Sequence, residues 1–267
     1  MRIRLADGFG PDDLARALAA HRRCFAGGAG RVLKDGGRTR ISWVSLPGGR
    51  ELCVKEYLSL PFARRIEDLL RPAAPLREWR AANALPPLGV GAPRAHALAL
   101  PAPLRAGSAF VVLDAIAGEP VNRFAARRFA RGRARAVKLR FLTGLADHLG
   151  ALHARGVRHG DLKGSNMLVT ERADGFEFWL VDLARVRVGA PVSRRRRLAG
   201  LAQLDASMPL VITRSDRMRF LLRYAAQESR DGIRSMFREV DRLSRARSRV
   251  WDRGYAGSEL GPTELGR

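Results

Sequence analysis

Cysteine is nearly absent: Cys24 and Cys53 are the only two in 267 residues. Two thiols cannot build the disulfide framework of a small secreted domain, and this pair has no metal-ligand spacing. A reducing, cytoplasmic setting is the expectation. Long apolar runs are missing too. Nothing reaches the roughly 20 residues a bilayer-spanning helix needs, and the opening Met1-Arg-Ile-Arg-Leu-Ala-Asp7 lacks the apolar core of a signal peptide. The sequence therefore reads as neither integral to a membrane nor secreted by that route. Acidic residues are scarce, 26 against 49 Lys and Arg, for a net charge of +23. Such a field draws polyanions, whether nucleic acid, an anionic leaflet or a phosphorylated substrate. Nearly all of it is Arg in a chain also rich in Ala and Gly, a bias that a source genome can produce without any binding role, so charge alone does not choose the partner. Aromatic residues make up 7% of the chain, and no nucleic-acid-binding motif is present. A nucleic-acid partner is not expected.

What the chain does have is one dense polar stretch, His159-Gly-Asp161-Leu-Lys163-Gly-Ser-Asn166. It runs into the apolar Met-Leu-Val169, and a second apolar run ends at Leu180-Val-Asp182-Leu. Phosphoryl transfer needs this set of side chains. A carboxylate orients the incoming hydroxyl and takes its proton, a lysine neutralises the transferring group, and an Asn with a second Asp gives oxygens to Mg²⁺. The five-residue step from Asp161 to Asn166 is that of kinase catalytic loops, and Asp182 falls where the metal-binding Asp of that fold stands. A lone H-x-D is common in surface loops. The full string is not.

Upstream, Leu14 to Phe25 has helical periodicity and ends in Gly27-Gly-Ala-Gly30, which reads as a helix and a flexible connector ahead of the main domain. Three β-like runs follow, Arg31 to Lys34, Thr39 to Leu46 and Glu51 to Tyr57, joined by Gly-rich turns at Asp35-Gly36-Gly37-Arg38 and Pro47-Gly-Gly-Arg50. They predict an antiparallel meander. Period-two geometry puts Cys53, Lys55 and Tyr57 on one face and Leu52 and Val54 on the other. A Lys facing inward from a central strand needs a carboxylate or phosphate beside it. Leu76, Trp79, Ala82 and Leu85 then mark a helix, with Glu78 beside the stripe. Glu78 is the candidate partner for Lys55, and Glu67, in an earlier basic segment after Pro61, is the competing choice. Val90 to Leu104 has room for a short strand, and Ala109 to Leu113 reads as a buried one.

Farther on, Arg127 to Arg140 is densely basic, and Phe141, Leu142, Leu145, Leu149 and Leu152 recur on a long helix leading to the catalytic stretch. His153 reads as a packed helix residue, and His159 as a prop for the loop. After Asp182 the usual glycine is replaced by Leu183, no A-P-E follows, and Gly160 stands where an Arg would receive a phosphorylated activation loop. A site not switched in the manner of regulated protein kinases is expected. Leu198, Leu201 and Leu204 follow Arg194 to Arg197 on another helix. Ser215 or Asp216 is the expected cap of a further one, with helix signals to about Val250 and a Gly-rich tail that frays.

In this order the elements resemble the protein-kinase-like fold, an α+β architecture with a small antiparallel N-lobe and a mainly helical C-lobe. The boundaries are expected at 1–113, 114–250 and, for the tail, 251–267. Within it, Leu33-Lys-Asp-Gly36, Val54-Lys55-Glu-Tyr57, Arg77-Glu78-Trp79-Arg80, His159-Gly-Asp161-Leu-Lys163 with Asn166, Val181-Asp182-Leu and Arg214-Ser-Asp216-Arg-Met-Arg-Phe220-Leu resemble the bacterial lipopolysaccharide core kinases, which phosphorylate Kdo or heptose. The resemblance implies Asp161 as catalytic base and Lys163 as phosphoryl stabiliser. It implies Asn166 and Asp182 on Mg²⁺, with Lys55 and Glu78 on ATP and Cys53 against adenine. The turn at Gly36 and Gly37 stands where a Gly-rich loop covers the ATP phosphates, though it lacks the full G-x-G-x-x-G, and residues 114–118 stand at the adenine-binding hinge. It further implies a glycolipid acceptor (lipopolysaccharide core or lipid A–Kdo), the cytoplasmic face of the inner membrane, and contact of the Arg-rich patches with anionic lipid. Aminoglycoside and choline-type phosphotransferases share H-G-D-L-x-x-x-N, so a soluble small-molecule kinase is the alternative; an acidic groove for a cationic drug fits +23 badly. A protein kinase lacks support without A-P-E. A polyanion-binding or catalytically inactive scaffold is the reading from outside the enzymes, and the complete catalytic set argues against it.

Overall fold

The computed structural model describes residues 1–58, 73–102, 107–130 and 135–247. Glu67 and the basic segment around it, and the tail 251–267, lie outside the described residues. The chain divides into two compact units, Met1–Ala117 with Val181–Val186, and Gly118–Leu180 with Arg187–Arg267.

The first unit is built on a six-stranded antiparallel sheet. Its strands are β1 (Arg2–Leu5), β2 (Arg31–Gly36), β3 (Thr39–Ser45), β4 (Glu51–Tyr57), β5 (Ala95–Leu100) and β6 (Ala109–Asp114), in the order β1-β5-β6-β4-β3-β2. The meander is as the turn residues predict. The N-terminal stretch belongs to this unit rather than standing ahead of it: β1 pairs with β5, and α1 (Pro11–Phe25) packs on the sheet. Leu14, Ala17, Leu18 and Cys24 of α1 share one apolar cluster with Val44, Leu52, Val54, Ala97 and Val112. Period-two alternation thus sends Leu52 and Val54 toward α1. Nor is Gly27–Gly30 a slack connector. Gly30 takes φ +118°, and a Cβ there would stand 2.2 Å from Cys24 Sγ, so only glycine fits where the chain closes on the helix.

Helix α2 (Ala74–Ala84) packs on β5 and β6. Its buried positions are Pro75, Glu78, Ala81 and Ala82; of the predicted stripe, Ala82 and Leu85 are fully buried and Leu76 and Trp79 half-buried. Beside that stripe the helix also turns Glu78 inward, to 1% exposure.

The second unit is mainly helical. A small sheet, in the order β10-β9-β7, joins β7 (Glu119–Pro120), β9 (Met167–Glu171) and β10 (Phe176–Leu180), while the two-residue β8 (Arg158–His159) leads into the catalytic stretch. Helices α3 (Val121–Phe129), α4 (Arg135–Ala154), α5 (Arg194–Ser207), α6 (Arg214–Tyr224) and α7 (Arg230–Arg245) complete it. The predicted period on α4 holds, with Phe141, Leu142, Leu145, Leu149 and Leu152 all buried. Phe141 stacks on Phe124 and meets Phe176 and Phe178 edge-on or tilted, tying α3 and α4 to the small sheet. The cap of α6 is neither Ser215 nor Asp216. Thr213 accepts from the Asp216 backbone N–H at 3.2 Å while the Asp216 carboxylate accepts from Thr213 N at 3.1 Å, a reciprocal capping box.

Candidate active site

Lys55 stands on the face of β4 opposite Leu52 and Val54, and is 5% exposed. An ammonium there needs anionic partners, and it has two. Nζ lies 3.0 Å from Glu78 Oε1 and 2.6 Å from Asp182 Oδ1. Burial opposes the lysine charge, but Glu78, followed by Tyr57 and Asp182, outweighs it and raises the pKa above the ordinary lysine value. Glu78 is held on every side: its other oxygen accepts from the Tyr57 hydroxyl, and Oε1 also accepts from Leu183 N at 3.2 Å. Arg77 Nε donates to Ala184 O at 2.9 Å, so consecutive residues of α2 grip the segment after Asp182. Asp182 itself adopts φ 56°, the left-handed region that Asp tolerates better than most residues. Its side chain is 46% exposed, and Lys55 takes only one of its oxygens.

Cys53 lies partly buried on the same face, two residues from Lys55. Burial, then the Glu78 charge, pushes its thiol up to about 12, so it is a neutral wall rather than a nucleophile. Gly36 and Gly37 form the exposed tip of the β2–β3 hairpin.

In the second unit, the stretch from His159 to Asn166 is organised by short-range hydrogen bonds. His159, 2% exposed, accepts from Asp161 N on Nδ1 at 3.1 Å, which makes it a prop for the loop. Asn166 Nδ2 donates to Asp161 O at 2.9 Å and Asp161 Oδ2 at 3.2 Å, locking the carboxylate to the loop. Lys163 Nζ stands 3.4 Å from the same Oδ2, with its side chain 46% exposed. Helix α5 supports the loop from behind. Leu162 N donates to Gln203 Oε1 at 2.9 Å, and Gly164 N to Ser207 Oγ at 2.8 Å. Nothing in the sequence marked Gln203 or Ser207; their four-residue spacing on one helix face is the signal that was there to find. Gly164 is also forced: a Cβ would come within 2.7 Å of Asn122 Cβ. His153 is packed as expected, with Nδ1 bonded to the Tyr224 hydroxyl at 2.7 Å.

Each unit carries oxygen donors of the kind a hard cation takes. Asn166 spends its amide N–H on Asp161, and its Oδ1 is by chemistry a neutral oxygen donor. Asp182 presents a half-exposed carboxylate beside Lys55. Oxygen donors of this kind are what Mg²⁺ takes, usually with waters and substrate phosphates completing its shell.

A six-stranded antiparallel sheet with a Lys–Glu pair, and a helical unit carrying an Asp–Lys–Asn loop, define a kinase-like domain. More narrowly, the profile of the lipopolysaccharide kinase (Kdo/WaaP) family matches residues 65–224, and the chain belongs to that family. Among solved structures, WaaP in complex with acyl carrier protein is similar over 91% of this chain and 99% of that one, at 23% identity and a TM-score of 0.63; it supports the fold. The PknI kinase domain of Mycobacterium tuberculosis matches over 80% of this chain and 94% of that one, at 18% identity and a TM-score of 0.45. Among curated proteins nothing matches. Among the described residues, no helix is long and apolar enough to cross a membrane.

Proposed function

We propose that this kinase transfers the γ-phosphoryl group of ATP to a sugar hydroxyl, of Kdo or heptose, on the lipopolysaccharide inner core. The observation that carries the reading is the Asp161 carboxylate, fixed by Asn166 and attended by Lys163, in a member of the lipopolysaccharide kinase family. Asp161 orients the acceptor hydroxyl and takes its proton as the oxygen attacks. Lys163, half-exposed and free to follow the phosphoryl group, balances charge as it moves. Lys55 would neutralise the α- and β-phosphates, with Glu78 holding it in place, while Cys53 and the Gly36–Gly37 turn would line the nucleotide. Oxygens of Asn166 and Asp182 would hold Mg²⁺, which when bound offsets the negative charge of the β- and γ-phosphates. The Arg-rich stretches, Arg127 to Arg140 and Arg194 to Arg197, would meet the anionic cytoplasmic face of the inner membrane, where the lipid-anchored acceptor lies. Since the WaaP neighbour was captured with acyl carrier protein, that protein is also a candidate partner here, checked by comigration of the purified pair in gel filtration.

The test is transfer from labelled ATP with Mg²⁺ to purified lipopolysaccharide core, wild type beside Asp161→Ala. Label in the glycolipid with wild type, reduced about 10²–10⁴-fold in the variant, is the expected outcome for loss of a general base. Turnover of ATP with no labelled glycolipid would move the acceptor to a small soluble alcohol. An absence of both turnover and ATP binding would return the chain to the polyanion-binding class.

A further inference from the structure

The Lys163 side chain is half-exposed, and a lysine side chain carries about 2 kcal/mol of rotamer entropy. Its backbone is the reverse. Lys163 N donates to Asp161 O at 3.0 Å, and Lys163 O accepts from Asn166 N at 2.8 Å. The residue is extended, at φ −123° and ψ 157°, and the N–H groups of both its neighbours go to the same helix. Leu162 N donates to Gln203 Oε1 at 2.9 Å, and Gly164 N to Ser207 Oγ at 2.8 Å. Two residues of extended chain rise about 6.6 Å. Gln203 and Ser207, four residues apart on α5, are separated by about 6.0 Å of helix rise. The spacing of the two acceptors therefore matches that of the two donors. Ser207 is itself fixed, since its hydroxyl donates to Leu204 O at 2.7 Å and so keeps its lone pairs for Gly164 N.

Asp161 is held differently, from within its own loop, by His159 Nδ1 on its N–H and Asn166 Nδ2 on its carboxylate. Helix α5 instead grips the residues on either side of the lysine. A group that balances charge on a moving phosphoryl needs a mobile side chain on an exact point of attachment. A misplacement of about 1 Å can cost on the order of 10²-fold in rate. We propose that Gln203 and Ser207 are positioning residues for Lys163. They set the place of its Cα, and with it the reach of Nζ during phosphoryl transfer, while Asp161 and nucleotide binding do not depend on them. The proposal rests on the kinase reading for the task of Lys163, and on the hydrogen bonds alone for the clamp.

The experiment uses the full chain and has two arms. In the first, amide hydrogen exchange is followed at Leu162 and Gly164 in wild type, Gln203→Ala/Ser207→Ala and Gln203→Glu/Ser207→Thr, with thermal melts confirming that each is folded. Exchange at both amides about tenfold faster in the Ala pair, and close to wild type in the Glu/Thr pair that keeps both acceptors, is the expected result. In the second, ATP turnover with Mg²⁺ and core glycolipid is measured for the same chains, for Lys163→Ala, and for Lys163→Ala combined with the Ala pair. The Ala pair lowers kcat about ten- to a hundredfold with the KM for ATP unchanged, and the Glu/Thr pair recovers most of that loss. Added to Lys163→Ala, the Ala pair costs no further rate, because the lysine it would misplace is gone. Unchanged exchange at Leu162 and Gly164 in the Ala pair overturns the clamp. Faster exchange with kcat unchanged overturns its task, and so does a loss that multiplies with that of Lys163→Ala, which would assign the two residues to Asp161. ATP consumed by wild type with no labelled glycolipid removes the acceptor reading and leaves the comparison intact, read as ATP hydrolysis. No turnover by wild type removes the kinase reading and the positioning role together.

Discussion

Lys55 and Asp161 are held by opposite means. Lys55 is buried among charges brought from far apart in the chain, Glu78 and Asp182, with the nearby Tyr57 hydroxyl completing the cluster. Asp161 is held by neutral donors and acceptors, and most of them lie within five residues: His159, Asn166 and the loop backbone, with Gln203 and Ser207 bracing its neighbours. The first centre depends on charge balance in a poorly hydrated place, where each member needs the others. The second depends on shape and hydrogen-bond geometry, and its own ion pair to Lys163 is open to water. The buried Lys55 ammonium is matched by two carboxylates, Glu78 buried and Asp182 half-exposed. The proposed base, Asp161, sits instead among hydrogen-bonding groups of its own loop, with the half-exposed Lys163 beside it.

That contrast is tested most severely at Glu78. Glu78→Ala removes the carboxylate from Lys55, the acceptor from the Tyr57 hydroxyl and the partner of Leu183 N together. A loss of about 3–5 kcal/mol in urea unfolding is expected, as for breaking one side of a buried pair. The double variant Lys55→Met/Glu78→Leu, which removes both charges, recovers most of that loss, although phosphoryl transfer is abolished. Lys163→Ala, by contrast, changes stability by less than about 1 kcal/mol. Equal losses for Glu78→Ala and the double variant would show that packing, not charge, holds the first centre.

The same contrast explains what could be read from the sequence. The Asp161 loop is local, so its residue types and spacing announced it: His159, Lys163 and Asn166 all stand within five residues of the aspartate. The Lys55 centre spans 127 positions. Strand periodicity places Lys55 on the inward face, but nothing in the sequence beyond order distinguishes Glu78 from Glu67, and a Glu beside the apolar stripe of α2 gives no periodic sign that it is buried with Lys55. At the N-terminus, β1 is four residues long, its pattern Arg-Ile-Arg-Leu is largely exposed, and it exists because β5 offers an edge. Such non-local pairing leaves no periodic trace. The α6 cap lies two or three residues before the expected Ser215 or Asp216 for a related reason: Thr213, Ser215 and Asp216 are all competent caps, and the Lys138 ammonium, 2.8 Å from Asp216 Oδ2, favours the arrangement with Asp216 at the third helical position.

A smaller effect sharpens the second half of the comparison. If the Asp161 loop is held by shape, adding one methyl group should disturb it without touching a charge. Gly164→Ala places a Cβ 2.7 Å from Asn122 Cβ and 3.1 Å from Asn122 N, a backbone atom that cannot step aside cheaply. Overpacking of this kind costs about 1–3 kcal/mol. Stability should fall by that amount, and kcat should fall with it, since the Gly164 N–H to Ser207 bond anchors the loop. An unchanged urea midpoint would mean that the loop is not gripped between α3 and α5.

The smallest expected effect separates the two units by pH. In the second unit His148 is pushed down to about 4 by burial and then by Arg155, and its Nε2 has no hydrogen-bond partner among the described residues. In the first unit His21 is also lowered by burial, but Ser42 and the Glu56 carboxylate flank its two nitrogens, and the carboxylate works to raise it. Because the folded pKa of His148 lies below the unfolded value near 6.5, the unfolded chain takes up the proton first as pH falls. The stability it contributes is full above about pH 6.5 and declines toward about pH 4. Leucine at this position has no proton to gain and leaves no buried polar atom unpaired. His148→Leu should therefore lose about 1 kcal/mol less than wild type between pH 7 and pH 5.5 in urea unfolding, while His21→Leu, which strands Ser42 and Glu56, should be destabilised at both pH values. Equal acid sensitivity in wild type and His148→Leu would place the titrating group elsewhere, with His153, likewise pushed down to about 4 by burial and then Arg197, as the next residue to replace.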